Sequence, residues 1–379
     1  MVPELGLNRR AVCFFRIAPQ SPRDTELVNQ LRDAKRSTSR RHAYRKHTDF
    51  RKSAVRNLNE SMRQPTVIAA CVISLGLVPA ACHQNEQLAR TDPPRAFLDV
   101  PQSESSPRRI LFVSEWEGKE EIHVMDPDGS NIQRLTTTKT GTGSWQPVWS
   151  PDGRMIAFGS DRDDNREIYV MDADGSNIRR LTHTSDKERM PTWSPDGKQI
   201  AFVSDRGGNW GIYVIHADGS NVRRLAYYEN VHVARPVWSP DGRKIAFSSG
   251  VQFPDGEWEW DIYVIDADGS NVQRLTQHAG VNYQASWSPD GKHIVFDSTR
   301  DGNWEIYLME ADGSNVTRLT RHEEVDARPD WSSDGTKIAF HSGRDADHAD
   351  HSEVYVMEAD GSNVRRLTYS KTFAVHPDW

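Results

Sequence analysis

Residues 191–226 read "PTWSPDGKQIAFVSDRGGNWGIYVIHADGSNVRRLA" and hold four short runs of strand character: "PTW", "QIAFVS", "IYVI" and "NVRRLA". Each is rich in β-branched or aromatic residues and is bounded by Gly, Pro, Asp or Ser. Runs this short do not make helices. "SPDG" joins the first run to the second. Its proline presets φ near about −65°, and its glycine accepts the left-handed conformation that follows. Asp-Gly in "HADGSN" closes a tight hairpin between the third and fourth runs. Four antiparallel strands in succession predict one blade of a β-propeller. Blades stacked around an axis bury both faces, which explains why Ile200-Ala201-Phe202-Val203 does not alternate with polar residues.

Outward from this stretch the unit repeats. "DGSN" begins at Asp128, Asp174, Asp218, Asp268, Asp312 and Asp360, at intervals of 44 to 50 residues. That period belongs to propellers and solenoids. Second strands are expected to start near Ile110, Met155, Gln199, Lys244, His293 and Lys337. First strands are expected to end at Trp149, Trp193, Trp238, Trp287, Trp331 and Trp379. The array thus opens on a second strand, "RILFVS", and reaches "HPDW" as a first strand. Pairing the two joins edges that would otherwise lie open to aggregation. The expected fold is all-β, a closed six-bladed propeller over 110–379, monomeric, with the tryptophans at strand ends as packing residues.

The repeats "WSPDGRMIAF" (149–158) and "IYVMDADGSNIRRLT" (168–182) resemble the TolB-type, WD-repeat-like propeller, and the resemblance extends over residues 110–379 in six copies. TolB is a periplasmic partner of an envelope-spanning complex and carries an α/β domain before its propeller. Here about 28 residues separate Cys82 from the first strand. The resemblance therefore implies an envelope propeller lacking that N-terminal domain.

The segment before the repeats reads differently. Residues 1–61 carry 14 Lys/Arg against 6 Asp/Glu, and the remainder 33 against 48, so the net charge of −7 hides a basic arm and an acidic body. An acidic body does not suit a nucleic acid as main ligand. Residues 62–81, from Met62 through the apolar run Val67–Val78 to Ala80-Ala81, have the layout of a signal peptide. With Cys82 next, the stretch resembles a bacterial lipobox, with Pro79 where an aliphatic residue is usual. That resemblance implies cleavage before Cys82 and a lipid on its sulfur, hence membrane contact and a periplasmic or outer-membrane location. Residues 1–61 are then a disordered arm or an upstream extension before a start at Met62, and 82–109 are a polar tether. Cys13, Cys71 and Cys82 are the only cysteines, so the repeats hold no disulfide and no thiolate ligand.

In a propeller the "SPDG" and "DADGSN" turns share one face. The other face carries loops that differ in every blade, where binding residues are expected. Trp116, Trp210, Trp258, Trp260, Trp304, Tyr227 and Tyr228 are the expected partner-binding residues. The residue three before each terminal tryptophan should stand near the channel mouth: Gln146, Met190, Arg235, Gln284, Arg328 and His376. Two arginines there can grip a carboxylate, or else pair with Glu188, Glu324 or Asp326.

Other chemistry is weakly supported. "DADGSN" lacks calcium-loop spacing, and His216 replaces its first Asp in one copy. No nucleophile elbow and no phosphate loop appear. The run Asp345–His351 and loop His183, His232, His278 and His322 could ligate a metal, as histidines do over the channel of six-bladed propeller lyases that resemble this repeat, but their offsets differ between blades. The expectation is a non-enzymatic envelope protein without a metal or other cofactor, binding a protein or peptide. The alternative is a sugar-active or sugar-binding propeller using loop His and Trp.

Overall fold

The computed structural model describes residues 109–379 apart from 140, 229–230, 254–255, 278–279, 346–350 and 371. The expected arm, signal, lipobox Cys82, tether through residue 108, His278 and most of the Asp345–His351 run lie outside the described residues. Those described fall within one compact unit.

Twenty-four strands form six antiparallel sheets of four, and no helix occurs among the described residues. Blade 1 comprises Ile110–Trp116, Lys119–Met125 and Gln133–Arg134, with Ala374–Asp378 at its inner edge. Blade 2 runs through Ser144–Trp149, Met155–Asp163, Asn165–Asp172 and Arg179–Arg180. Blade 3 has Glu188–Trp193, Gln199–Ser204, Gly211–His216 and Arg223–Tyr227. Blade 4 has His232–Trp238, Lys244–Gln252, Trp258–Asp266 and Gln273–Arg274. Blade 5 has Asn282–Trp287, His293–Ser298, Glu305–Glu310 and Thr317–Arg318, and blade 6 has Asp326–Trp331, Lys337–Ser342, Glu353–Glu358 and Arg365–Arg366.

The ring closes within blade 1. Leu111 pairs with Asp378, Val113 with Val375 and Ser114 with Ala374, and Ser114 Oγ donates to the Phe373 carbonyl at 2.6 Å. Each pair of neighbouring blades shares one apolar core. Leu111, Ile122 and Val124 of blade 1 meet Ile156, Phe158 and Met171 of blade 2. Across the seam, Ile110, Phe112 and Met125 meet Val354, Val356 and Leu367 of blade 6. Trp193, Trp238, Trp287 and Trp331 are buried in such cores.

The fourth strands differ from expectation. Five of them have two residues, and only blade 3 continues for five, Arg223–Tyr227. The cause is one side chain. In blade 5, Thr320 Oγ1 accepts the Ile306 amide at 2.9 Å and donates to the buried Glu305 carboxylate at 2.6 Å. The hydroxyl takes the amide that a longer fourth strand would use. Thr136, Thr182, Thr276 and Thr368 accept the corresponding amides. Blade 3 has Ala226 for the threonine and Gly211 for the acid, and there the backbone pairs on, Ile212 with Ala226 and Gly211 with Tyr227.

The constant turns satisfy their own polar groups. In "DADGSN" of blade 2 the Ser176 amide donates to Asp174 Oδ1 at 2.9 Å, and Asn177 Nδ2 donates to Asp172 Oδ2 at 2.7 Å. The asparagine stands at φ 53°, a conformation its short side chain tolerates. In "SPDG" Ser150 Oγ donates to Asp152 Oδ1 at 2.7 Å. The carboxylates are occupied holding turns.

Candidate functional site

The first strand of each blade is the innermost one, with its free backbone edge toward the axis. That is why a proline, which cannot donate a ladder bond, is tolerated there as Pro147, Pro191, Pro236, Pro329 and Pro377. Pairing with the second strand slips at one place in every blade, for example between Arg189 and Thr192 and between Ala234 and Val237. The extra residue at each slip has positive φ: Gln146 54°, Met190 57°, Arg235 53°, Gln284 33°, Arg328 56° and His376 57°. Left-handed backbone costs a non-glycine residue roughly 1–2 kcal/mol. Six bulges therefore hold six costly conformations in one ring. Five of these residues, all but Arg328, line a cavity of about 90 Å³ on the axis.

Their side chains knit the ring together. Gln146 Oε1 accepts the Met190 amide at 3.0 Å, and Met190 Sδ accepts the Arg235 amide at 3.3 Å. Arg235 of blade 4 reaches the opposite blade, where its Nη2 lies 3.1 Å from His376 Nε2. A guanidinium only donates, so His376 Nε2 accepts and its proton sits on Nδ1. Burial, then the charges of Arg328 and Arg235, hold His376 well below the usual histidine range. His341 is held neutral in the same way. The Arg328 amide donates to Asp297 Oδ2 at 2.8 Å. Burial pushes Asp297 up to about 6 against the pull of both arginines. Burial also lowers Arg328, to about 9, and the charge of Arg235 lowers it further. Of the loop acids, Glu188 binds Arg206 at 2.8 Å and Asp326 binds Arg344 at 2.6 Å.

A second layer lies toward the constant turns. Asp330 accepts from Ser286 Oγ at 2.7 Å and from the Trp379 amide at 2.8 Å, and Asp378 accepts the Trp149 amide. Burial raises Asp330 to about 6, and no arginine is among the groups that perturb it.

Toward the loop face, aromatic side chains of blades 3 to 5 pack together. His232 meets Trp258 edge-on at 4.7 Å, Trp258 stacks on Trp260 at 5.5 Å, and Trp260 meets Tyr283 edge-on at 5.2 Å. Arg189 lies 3.6 Å over the Trp210 ring. Burial lowers Arg189 to about 10, and its charge in turn helps to lower His232. In blade 2, Arg166 covers Trp145 at 4.4 Å, and the Trp145 indole N–H donates to Glu120.

The expected partner-binding residues separate into two groups. Trp116 is 50% exposed, with Arg134 4.9 Å above its ring, and Trp210, Trp258, Trp304 and Tyr227 are half-buried. Trp260 and Tyr228 are buried in the core between blades 3 and 4 and are scaffold rather than contact surface. Gly250 makes room for Trp260: a Cβ there would lie 2.5 Å from the indole. Arg189, Tyr283, Asp297 and His341 were missed in the sequence. The signal was their position, one before the bulge or directly after the second-strand phenylalanine. The described loop histidines do not converge: His183 is exposed, His232 packs on Trp258 and His322 caps Glu324. Among the described residues no group of three or more His, Cys, Asp or Glu could hold a metal, and no helix is long and apolar enough to cross a membrane.

A sequence profile of the TolB beta propeller domain matches residues 138–253, 230–348 and 298–379. The chain belongs to the TolB beta propeller domain family. Among solved structures, TolB from Acinetobacter baumannii is 23% identical with a TM-score of 0.60, over 72% of this chain and 66% of that one, just under two thirds of its length. The putative TolB from Agrobacterium tumefaciens is 27% identical with a TM-score of 0.55, over 70% of this chain and 90% of that one. An oligogalacturonate lyase in complex with manganese shares the fold at 16% identity and a TM-score of 0.50, over 70% of this chain and 75% of that one. No curated protein matches the chain in sequence.

Proposed function

We propose that this TolB-family propeller is a non-enzymatic protein of the cell envelope that holds a protein or peptide partner on its variable loop face. Residues 62–81 would export it and Cys82 would carry a lipid anchor. The observation that supports the reading is the contrast between faces. On one, His232, Trp258 and Tyr283 with Arg189 on Trp210 gather at the loop ends of blades 3 to 5. On the other, the acids of the repeated turns bind their own backbone. Half-buried aromatics beside arginine are what protein contacts use as anchors. No arrangement among the described residues favours the sugar-active alternative, since the described loop histidines point to separate tasks.

The test is site-specific photocrosslinking in envelope extracts. A crosslinker at Trp116, Trp258 or Trp304 should capture one discrete partner, and one at Lys198 or Lys292, exposed in the constant turns, should not. Equal capture from both faces, or capture from the turns alone, refutes the reading. Fractionation with mass spectrometry of the mature N-terminus tests the anchor separately; an unprocessed chain in the soluble fraction refutes it.

A further inference from the structure

On the constant-turn side, one carbonyl marks each seam between blades. It belongs to the second residue of the "DADGSN" turn or its equivalent: Pro127, Ala173, Ala217, Ala267, Ala311 and Ala359. At four seams an arginine of the preceding blade donates to it. Arg179 Nη2 reaches the Ala217 carbonyl at 2.7 Å, Arg223 Nη2 that of Ala267 at 3.2 Å and Arg365 Nη2 that of Pro127 at 2.9 Å. These three arginines open their fourth strands. Between blades 1 and 2, Arg109 Nη2 does the same for Ala173 at 3.4 Å. In blades 4 and 5 the fourth strand opens with Gln273 and Thr317, which carry no guanidinium to send to Ala311 or Ala359.

At the Ala311 seam lies a cleft of about 580 Å³, lined by Gln273, Trp287 and Ala311 with Pro240, Pro289 and Val264 as apolar wall. Asp241, Asp290 and Asp312 also line it. Hydrogen bonds from Ser239, Ser288 and Ser314 hold these carboxyls below the usual range, Asp290 at about 2, so the cleft is negative at neutral pH. Lys244, which lines it too, is bound to Asp266 at 2.8 Å. Arg243 and Lys292 approach Asp241 and Asp290 at 4.0 and 3.2 Å, but such exposed pairs are weak.

Trp287 is 8% exposed, and its indole N–H is buried without a hydrogen-bond partner among the described residues. The equivalent N–H of Trp149 donates to the Arg109 carbonyl at 2.9 Å. In blade 4 the carbonyl matching that of Arg109 is Lys244's, and the Ser239 amide takes it at 2.8 Å. Between blades 1 and 2 one arginine thus supplies a guanidinium for the turn carbonyl and an oxygen for the indole. Between blades 4 and 5 the chain supplies neither, and a cavity stands in their place.

We propose that the cleft between blades 4 and 5 binds a small arginine-like molecule, its guanidinium donating to the Ala311 carbonyl among the three aspartates and its carbonyl oxygen accepting the Trp287 N–H. A guanidinium suits the place better than an ammonium, being planar, less strongly hydrated and able to lie against an indole. The site is separate from the loop face and independent of what that face holds.

The test is calorimetric titration of the full chain with L-argininamide, agmatine, which lacks the carbonyl, and L-lysinamide, which lacks the guanidinium. Argininamide should bind one site at least tenfold more tightly than either. Gln273→Arg restores the arginine found at this place in blades 2, 3 and 6; it should weaken argininamide at least tenfold while the melting temperature holds or rises. Thr317→Arg, one seam on, should leave binding unchanged. No binding of argininamide, agmatine binding as tightly, or Gln273→Arg binding as well as the unmodified chain overturns the proposal. Lysinamide binding as tightly overturns it in favour of a general acidic patch. Acetyl-Ala-Arg-Ala-amide binding more tightly than argininamide overturns it in favour of an arginine carried by a protein. The ligand series uses the unmodified chain, so the proposal stays open to refutation even if a variant fails to fold.

Discussion

Asp297→Asn should stabilise the protein at neutral pH and lose that advantage in acid. Asp297 is 2% exposed, and its carboxyl is raised from an ordinary 3.8 to about 6, chiefly by burial. A folded-state value above the unfolded one means that the folded chain holds the proton more tightly. The cost of ionisation is therefore absent below about pH 3.8 and complete above about pH 6. A carboxyl raised by roughly two on the pH scale costs the folded state about 3 kcal/mol once ionised. Asparagine keeps the oxygen that accepts the Arg328 amide, so the variant differs mainly in that charge. Urea unfolding at pH 7.5, 5 and 4 should show the variant ahead by about 3, then about 1.5, then about 0.5 kcal/mol. Asp330 and Asp261, raised to about 6 and about 7, titrate in both proteins and cancel in the difference. A gap independent of pH, or a variant less stable at pH 7.5, would refute the electrostatic account of the ring.

Thr320→Ala strands the Ile306 amide and one oxygen of Glu305, both buried, and should cost about 2–4 kcal/mol in denaturant unfolding. Ala226→Thr, placed where Gly211 offers no carboxylate, should give no gain. Deleting residues 375–379 removes the strand that seals blade 1 and should lower the melting temperature by about 5 °C or more, with oligomers on sizing; an unchanged monomer contradicts the closure. Gly250→Ala drives a Cβ into Trp260 and should cost about 1–3 kcal/mol, with a shift in tryptophan emission that reports the displaced indole.

Much of the architecture was legible because its signals are local. Turn chemistry in "SPDG" and "DADGSN" and short β-rich runs fix the strand starts at Ile110, Met155, Gln199, Lys244, His293 and Lys337, where they are found. The short fourth strands were not legible, since "NVRRLA" and "NIRRLT" look alike until one threonine hydroxyl is seen taking an amide from the third strand. Nor was the burial of Trp260 and Tyr228. Which tryptophan of "EWEW" points inward depends on Gly250 across the hairpin. The ring residues were identified by counting back from each tryptophan, but their partners were not. Arg235 meets His376 because blades 1 and 4 stand opposite each other, 141 positions apart in sequence. Propensity and spacing carry no information about such a meeting.

The six left-handed bulges have a consequence for how such a molecule diversifies. The bulge turns these side chains toward the axis, where five of them line one cavity, so their chemistry can change while the repeat that carries them stays the same. Glutamine, methionine, arginine, glutamine, arginine and histidine already occupy these equivalent places. The hole at the centre behaves as a rewritable inscription on a constant frame, and six substitutions there could give the same scaffold a different ligand.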